Sequence, residues 1–190
     1  GDLSYTYYQK SGDDWKELEK EPVDAGDYKV VASWTETDNS AAVSAEKEFT
    51  IQKASITVTD TKTENYDGTE KVLNLTADKA TGVVEGETLT LTGAEIKGTA
   101  KGEYKEVSKY TWSVAKKDQS DSTGNYTIEV SGTLTINQGT AGDLNANVTI
   151  EGWTYDGKFD AKESLQATSK SDGDLSYTYY QKSGDDWKEL

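Results

Sequence analysis

Apolar and polar residues alternate along most of this chain, with β-branched and aromatic residues on one parity. Five runs in the middle show the pattern: SITVT, KVLNLTA, ETLTLTGAEI, KYTWSVA and NYTIEVSGTLTI. Each run can turn one apolar face inward, as Ile56 and Val58 do in the first and Tyr126, Ile128 and Val130 in the last. A period of two residues is typical of half-buried strands, so we predict strands and no convincing helix.

The same alternation appears toward both ends of the chain, in NVTIEG, LSYTYYQK, DYKVVASW and EFTI. Trp34 and Trp112 lie in mid-strand on the apolar parity, and we therefore expect both rings in the core. Short strands separated by Gly, Asp and Asn turns favour a β-sandwich. The predicted fold class is all-β.

One stretch of eighteen residues, GDLSYTYYQKSGDDWKEL, occurs twice, at 1–18 and at 173–190. An exact repeat of this length indicates a tandem array with a period of about 172 residues. On this division, residues 1–53 are the C-terminal part of a repeat A, residues 54–138 a complete repeat B, and residues 139–190 the N-terminal part of the next repeat A. We expect the two parts of repeat A to combine between chains, head to tail, which builds a filament when the contact does not close.

Composition excludes several classes of function. The net charge is −15, and the chain has no arginine, no histidine and no cysteine. No basic stripe is present to meet phosphates, so nucleic-acid binding is not expected. The familiar nucleophilic triads, zinc–thiolate sites and disulfides are also ruled out, and we expect no enzyme. No apolar run approaches the length of a membrane span, so we expect any targeting or anchoring segment to lie outside these residues.

The stretch DAGDYKV contains Gly26 and Tyr28, and DSTGNYTI contains Gly124 and Tyr126 at the same spacing. Immunoglobulin-type domains use this Gly-x-Tyr form where a loop enters a late strand. The glycine permits a turn that other residues resist. The tyrosine buries its ring and donates its hydroxyl to nearby backbone, which is a tyrosine corner. We assign a structural role to these four residues.

The tripeptide YDG also occurs twice, and each copy follows the first strand of its repeat. Its turn residues are Asp67 and Gly68 in repeat B, and Asp156 and Gly157 in repeat A. Asp-Gly is a turn dipeptide in which the glycine takes positive φ and the aspartate caps the turn with its carboxylate.

An opening strand, YDG, a middle containing LSYTYY, then PVDAGDYKVVA and a closing FTIQKA strand resemble the MBG/YDG repeats of bacterial surface adhesins and mucus-binding proteins. The resemblance covers nearly the whole chain, although the long middle of repeat B departs from that of repeat A. It implies tandem immunoglobulin-like sandwiches in an extracellular protein of the cell wall of a Gram-positive bacterium, with no catalytic residues. Because the middles differ, a β-grasp-like unit is kept as the alternative fold.

The connections IQKAS and NQGTAGD are short, so neighbouring repeats should form a semi-rigid rod. The expected function is a stalk or spacer in adhesion, whose partners are neighbouring repeats or chains of the same protein. The alternative is a module that binds host glycans or mucin. Its candidate ligand-binding residues are Trp15, Trp153 and Tyr155, because exposed rings at strand ends can stack on sugars.

Asp118, Asp121 and Asn125 supply hard oxygen ligands of the kind that calcium takes in surface loops, although their spacing matches no dedicated calcium motif. No cofactor is otherwise expected. The paired acids Asp13 and Asp14 in SGDDW are interpreted as an ordinary hairpin turn, since adjacent side chains point apart.

Lysines within strands, such as Lys29 and Lys71, leave open an amide crosslink to Asn or Asp, as some cysteine-free surface domains of this architecture carry. No residue spacing specifies such a bond.

Overall fold

The structure is a computed structural model of the chain, and it describes residues 1–159 and 164–190. Most of the described chain outside turns is β-strand, in several small sheets. The all-β prediction is therefore confirmed. Among the described residues, no helix is long and apolar enough to cross a membrane.

The described strands are β1 (Leu3–Ser11), β2 (Asp14–Leu18), β3 (Gly26–Trp34), β4 (Val43–Ile51), β5 (Ala54–Asn65), β6 (Lys71–Asn74), β7 (Ala80–Thr81), β8 (Thr88–Thr92), β9 (Glu95–Gly98), β10 (Gly102–Tyr104), β11 (Thr111–Ala115), β12 (Tyr126–Asn137), β13 (Asn147–Thr149), β14 (Gln166–Thr168), β15 (Tyr180–Ser183) and β16 (Asp186–Glu189). Within the described ranges, the one α-helix, α1, spans Ala141–Leu144, and single 3-10 turns occur at Ala77–Lys79 and Thr123–Asn125.

The first sheet is antiparallel with the strand order β2-β1-β3-β4. Leu3 lies opposite Trp34 on β3, and Trp34 lies opposite Val43 on β4. Directly opposed residues point to the same face of a sheet, as do residues two apart on one strand. The apolar side chains of β1, β3 and β4 therefore share one face.

The second four-stranded sheet has the order β10-β12-β5-β7, and two-stranded sheets pair β8 with β11, β6 with β9, β13 with β14 and β15 with β16. The chain divides into two compact units. Unit 1 comprises residues 1–61, 73–96 and 105–133, and unit 2 comprises residues 62–72, 97–104 and 134–190. The repeat boundaries after residues 53 and 138 stay a prediction from the sequence period.

Unit 1 holds a core of aliphatic and tyrosine side chains that are less than a tenth exposed: Tyr28, Ile56, Val58, Leu73, Leu75, Leu89, Ala94, Ile96, Val114 and Tyr126. The predicted inward parity is correct for Ile56 and Val58, which lie two residues apart on β5 and are fully buried. Side-chain burial of this kind supplies the main favourable term in folding, at about 25 cal/mol for each Å² of apolar surface.

Unit 2 has a smaller set of buried side chains, of which Leu134 and Ile136 on β12 are fully enclosed. Its helix α1 begins with a capping box, in which Thr140 and Asp143 satisfy each other's backbone N–H groups. Asn145 ends the helix in the left-handed conformation, a position that asparagine tolerates. These caps stabilise a helix that is too short to persist by propensity alone.

Trp34 corrects one expectation, because it is 39% exposed rather than part of the core. It occupies the last position of β3, in a row with Leu3 and Val43, which are 46% and 59% exposed. Alternation fixes the face to which a side chain points, but it does not fix whether another layer covers that face. Trp112 is half-buried.

The two copies of the eighteen-residue sequence form the same hairpin at different lengths. Tyr8 lies opposite Glu17 in the first copy, and Tyr180 lies opposite Glu189 in the second, so the register is identical. The first copy also pairs with β3 and is a strand from Leu3 onward. The second copy becomes a strand only at Tyr180. The same sequence thus needs a neighbouring strand before its first half becomes regular.

Candidate functional site

The loop into β3 is organised around Tyr28. Its ring is 2% exposed and stacks on Phe49 at 5.7 Å between centroids. Its hydroxyl donates to the carbonyl oxygen of Asp24 at 2.8 Å, which is the geometry of a tyrosine corner. A β-carbon on Gly26 would come within 3.3 Å of the Tyr28 hydroxyl, so glycine lets the ring fold back over the loop. Burial raises the pKa of Tyr28.

Tyr126 is equally buried but uses different partners. Its hydroxyl donates to Oε2 of Glu87 at 2.7 Å and accepts from the backbone N–H of Val84 at 3.2 Å. We expected a bond to backbone close by in sequence, and that expectation is wrong for this residue. An ionised carboxylate is a stronger acceptor than a neutral carbonyl, and here it lies within reach. Burial first, and the bond to Glu87 second, raise the pKa of Tyr126.

Between these two tyrosines, four residues form what we call the junction: Asp24, Ala25, Lys116 and Asn125. The side-chain oxygen of Asn125 accepts from the backbone N–H of Ala25 at 2.7 Å, and its amide nitrogen donates to Asp24 at 2.9 Å. Lys116 Nζ lies 3.1 Å from the same carboxylate oxygen. The junction therefore fastens a loop of residues 1–53 to residues 54–138 within compact unit 1.

Electrostatics at the junction follow from these contacts. The Asn125 hydrogen bond and the neighbouring Lys116 lower the pKa of Asp24 below its usual 3.8. Asp24 in turn raises the pKa of Lys116. Both groups are thus charged over the whole neutral range. The Asp24–Lys116 pair is solvated, so its part is orientation more than energy.

The three predicted calcium ligands each have protein donors. Asp118 accepts from the backbone N–H and hydroxyl of Ser120, and Asp121 accepts in the same way from Thr123. Asn125 belongs to the junction. Within residues 1–159 and 164–190, no group of three or more His, Cys, Asp or Glu side chains is arranged to hold a metal ion. The acidic loop closes its own turns, as Asp does through hydrogen bonds two residues ahead.

Trp15 lies half-buried on the first sheet, and two lysine side chains lie close to its ring. Lys29 Nζ lies 5.3 Å and Lys10 Nζ 5.9 Å from the ring, at cation–π distance. Trp187, the same residue in the second copy of the repeat, is 65% exposed. The first-copy indole is thus engaged by its own sheet, whereas the second-copy indole is not covered to the same extent.

Tyr155 is the first residue of the second YDG tripeptide, and Trp153 lies two residues before it. Trp153 is 42% exposed, and its indole N–H donates to the carbonyl of Lys158 at 3.2 Å. Its ring meets Phe159 edge to face at 5.2 Å, and Phe159 meets Tyr179 in the same manner at 5.5 Å. Tyr155 is 92% exposed. Of the predicted ligand-binding rings, Tyr155 alone presents nearly its whole side chain to solvent.

The two YDG turns share one geometry. Gly68 has a φ of +77° and Gly157 a φ of +81°. Asp67 and Asp156 each accept from the backbone N–H two residues further on, both at 3.0 Å. In each turn the glycine therefore supplies the positive φ, and the aspartate supplies a carboxylate that accepts a backbone hydrogen bond.

The first YDG turn carries an additional ion pair. Lys71 Nζ lies 2.8 Å from Asp67, and this contact, with the hydrogen bonds from Thr69, holds the pKa of Asp67 well below its usual range. Lys29 is paired with Glu46 at 3.2 Å. Lys71 thus contacts an aspartate, one of the two residue types named for an amide crosslink, whereas the partner of Lys29 is a glutamate.

Comparisons of this chain with protein-family models, curated proteins and solved structures find no match.

The sequence singled out Asn125 as a calcium ligand and not for the junction, and it assigned no junction role to Asp24 and no role to Lys116 or Glu87. Asp24 lies inside DAGDYKV, so its position beside a Gly-x-Tyr turn was a usable signal. Lys116 and Glu87 carry no such mark, because their partners are distant in sequence and depend on the fold.

Proposed function

We propose that this chain is part of a non-catalytic, extracellular stalk of tandem immunoglobulin-like repeats, a semi-rigid spacer in bacterial adhesion. The junction is the observation that carries the proposal. A spacer has to transmit orientation from one repeat to the next, and this requires fixed contacts at the boundary in addition to a covalent link.

The connection at this boundary is short. Strand β4 ends at Ile51 and β5 begins at Ala54, so Gln52 and Lys53 alone separate them. A two-residue connection leaves little freedom, and the hydrogen bond from Ala25 to Asn125 adds a second attachment away from it. Two separated attachments restrict bending more than either does alone.

The sequence period supports the repeat architecture. Identical hairpins at β1–β2 and β15–β16, with matching YDG turns, are the parts expected of a tandem array. The resemblance to MBG/YDG repeats supports the surface location, the sandwich type of each repeat and the role in adhesion. The charge of −15 suits a repeat that has to stay extended and free of non-specific association.

A distance measurement across the boundary tests the spacer. Because the chain has no cysteine, D13C and T90C place two spin labels at exposed positions of compact unit 1 without competing thiols. A spacer predicts one narrow distribution of label-to-label distances. A broad distribution, in a chain whose circular dichroism shows folded β-structure, would contradict it.

The second candidate function is a carbohydrate-binding module, and the exposure of Tyr155 favours it. A ring that is 92% exposed, next to a half-exposed indole, can stack on a sugar face. Saturable binding to a mucin or glycan array, lost in Y155A and retained in Y180A, would establish it. Tyr180 is 52% exposed and serves as the matched control. Absence of binding by the folded chain would leave the spacer as the function.

A further inference from the structure

The first sheet leaves one apolar face open at one end. Leu3, Tyr5, Trp34 and Val43 share this face by register and are 46%, 59%, 39% and 59% exposed. The opposite end of the same face is closed, since Tyr28 is 2% exposed. On the first sheet, this row of apolar side chains therefore lacks a covering layer among the described residues.

In unit 2, the same side of the second copy lines an apolar groove. Leu175, Tyr177 and Tyr179 are the counterparts of Leu3, Tyr5 and Tyr7, and they line one groove together with Val148, Ile150, Leu165 and Ala167 around β13 and β14. Tyr179 also contacts Phe159 through its ring. Leu175, Tyr177 and Tyr179 nevertheless stay 64%, 43% and 43% exposed, so this apolar groove is open to solvent.

The second copy lacks what the first copy has. Leu3–Gln9 pairs with β3 along seven consecutive residues. The counterpart residues 175–179 are irregular, and the hairpin of the second copy begins only at Tyr180. Unit 2 therefore offers an open apolar groove beside a segment that lacks β3 as a partner, whereas the first sheet has the paired strands and an open apolar face. Each site exposes apolar side chains that the other can cover.

We propose that the second copy of one molecule takes the place of the first copy on strand β3 of another molecule. Residues 175–181 then adopt the register of Leu3–Gln9, so that Ser176 lies opposite Ser33 of the second molecule and Tyr177 lies opposite its Ala32. The partner is a second copy of this chain, and the surface is the strand edge and open apolar face of β3 and β4.

The exchange replaces one segment with another of identical sequence. The displaced and displacing hairpins are the same eighteen residues, so every backbone and side-chain pairing with β3 is replaced by an identical one. The difference lies in what is attached. Only six residues separate Thr168 at the end of β14 from Leu175, so the incoming copy brings β13 and β14 with it. A short tether gives this layer a high effective concentration over the open face, where it covers Trp34 and Val43.

The contact is heterologous, since a C-terminal segment meets an N-terminal sheet. Such contacts propagate unless the rotation closes a ring. We therefore expect dimers to grow into longer assemblies as concentration rises. Unpaired strand edges favour growth of this kind. The inference rests on the proposed tandem-repeat function, because it assigns both segments to one repeat.

Cysteine crosslinking in a mixture tests the exchange and its register. S33C and S176C are placed in separate chains, mixed, and oxidised gently. The exchange predicts a disulfide-linked heterodimer, because opposed residues on antiparallel strands bring their β-carbons within reach of a disulfide. S183C mixed with S33C is the matched control and should not crosslink, since its counterpart Ser11 lies beyond the residues that pair with β3.

Two deletions of identical sequence give a second readout that is independent of cysteine. Removal of residues 173–190 should abolish the rise of mass with concentration in light scattering. Removal of residues 1–18 should retain it, because the first copy is the one replaced. Equal behaviour of the two deletions, or a heterodimer that forms equally well in the control mixture, would overturn the proposal.

A disulfide formed within one chain of a dilute S33C/S176C double variant would also overturn it, in favour of closure inside a single molecule. A result that overturns the strand exchange is distinguishable from a result that overturns the spacer function. The labels at residues 13 and 90 report on the boundary between residues 1–53 and 54–138, and their distance distribution in dilute solution does not depend on any contact made by residues 173–190.

Discussion

Asn125 accepts a hydrogen bond at 2.7 Å from the backbone N–H of Ala25, a residue one hundred positions earlier in the chain. The same side chain donates to Asp24 and to Ser122, so both ends of its amide are used. An asparagine placed in this way specifies one orientation of the loop before β3 relative to the turn before β12. That single side chain links the local turn chemistry of Gly-x-Tyr to the stiffness proposed for the stalk.

Loss of this side chain should loosen the boundary. We expect N125A to broaden the distance distribution between labels at residues 13 and 90. We also expect it to lower the free energy of unfolding by about 1–2 kcal/mol, since it leaves a part-buried backbone N–H without its acceptor. N74A removes an exposed asparagine from β6 and is the control. An equal, small effect of both substitutions would show that the junction does not hold the boundary.

Acid should weaken the junction over a defined range. The pKa of Asp24 is lowered in the folded protein. The stability that its carboxylate contributes is therefore fully present above the unfolded pKa of 3.8, and it is lost as the pH falls through the lowered pKa. We expect the label-to-label distribution to stay narrow from neutral pH to about 4 and to broaden below it. D24N should remove the part of this broadening that arises from protonation of the Asp24 carboxylate. A pH profile that D24N leaves unchanged would contradict the assignment.

The two YDG glycines should differ in their tolerance of a side chain. Alanine at either position is strained, because the φ values are +77° and +81°, and we expect a cost of about 1 kcal/mol from the backbone alone. A β-carbon on Gly68 would also lie 3.2 Å from the carbonyl oxygen of Lys170, whereas one on Gly157 meets open space. Urea unfolding should therefore show a larger loss for G68A than for G157A. The reverse order would contradict the close approach at Gly68.

Alkaline titration should distinguish the two buried tyrosines from the exposed ones. The pKa values of Tyr28 and Tyr126 are raised, so the stability linked to their protonated hydroxyls is present below pH 10 and is lost as pH rises beyond the raised values. We expect a late phase in the absorbance of tyrosinate, reduced in Y126F. Titration of all twelve tyrosines in one phase, while the protein is still folded, would contradict the burial of the Tyr28 and Tyr126 hydroxyls.

Strand periodicity predicted much of the fold because burial on one face leaves a direct trace in sequence. Ile56, Val58 and Val114 are buried at the parity expected for them. Turn chemistry was also readable, since positive φ at Gly68 and Gly157 is a local requirement that few residues other than glycine meet. Both kinds of signal depend on residues close together in the chain.

Contacts between distant residues left no such trace. Asn125 has the side-chain oxygen of a calcium ligand, but only the folded chain brings it to its partners Asp24 and Ala25. Trp34 has the parity of a core residue, yet its exposure depends on whether a second layer lies over β3. The hydroxyl of Tyr126 finds Glu87 for the same reason. Each of these differences comes from tertiary placement, which a period of two cannot encode.

We propose that residues 1–53 and residues 139–190 are complementary portions of one repeat. Amide hydrogen exchange in a permuted chain tests it most directly. In that chain, residues 54–190 are followed by residues 19–53, so the second hairpin runs straight into β3. We expect the amides of residues 175–179 to become protected, because they gain β3 as a partner, while the protein stays monomeric at low concentration. Exchange at those amides as fast as in the original chain would contradict the claim.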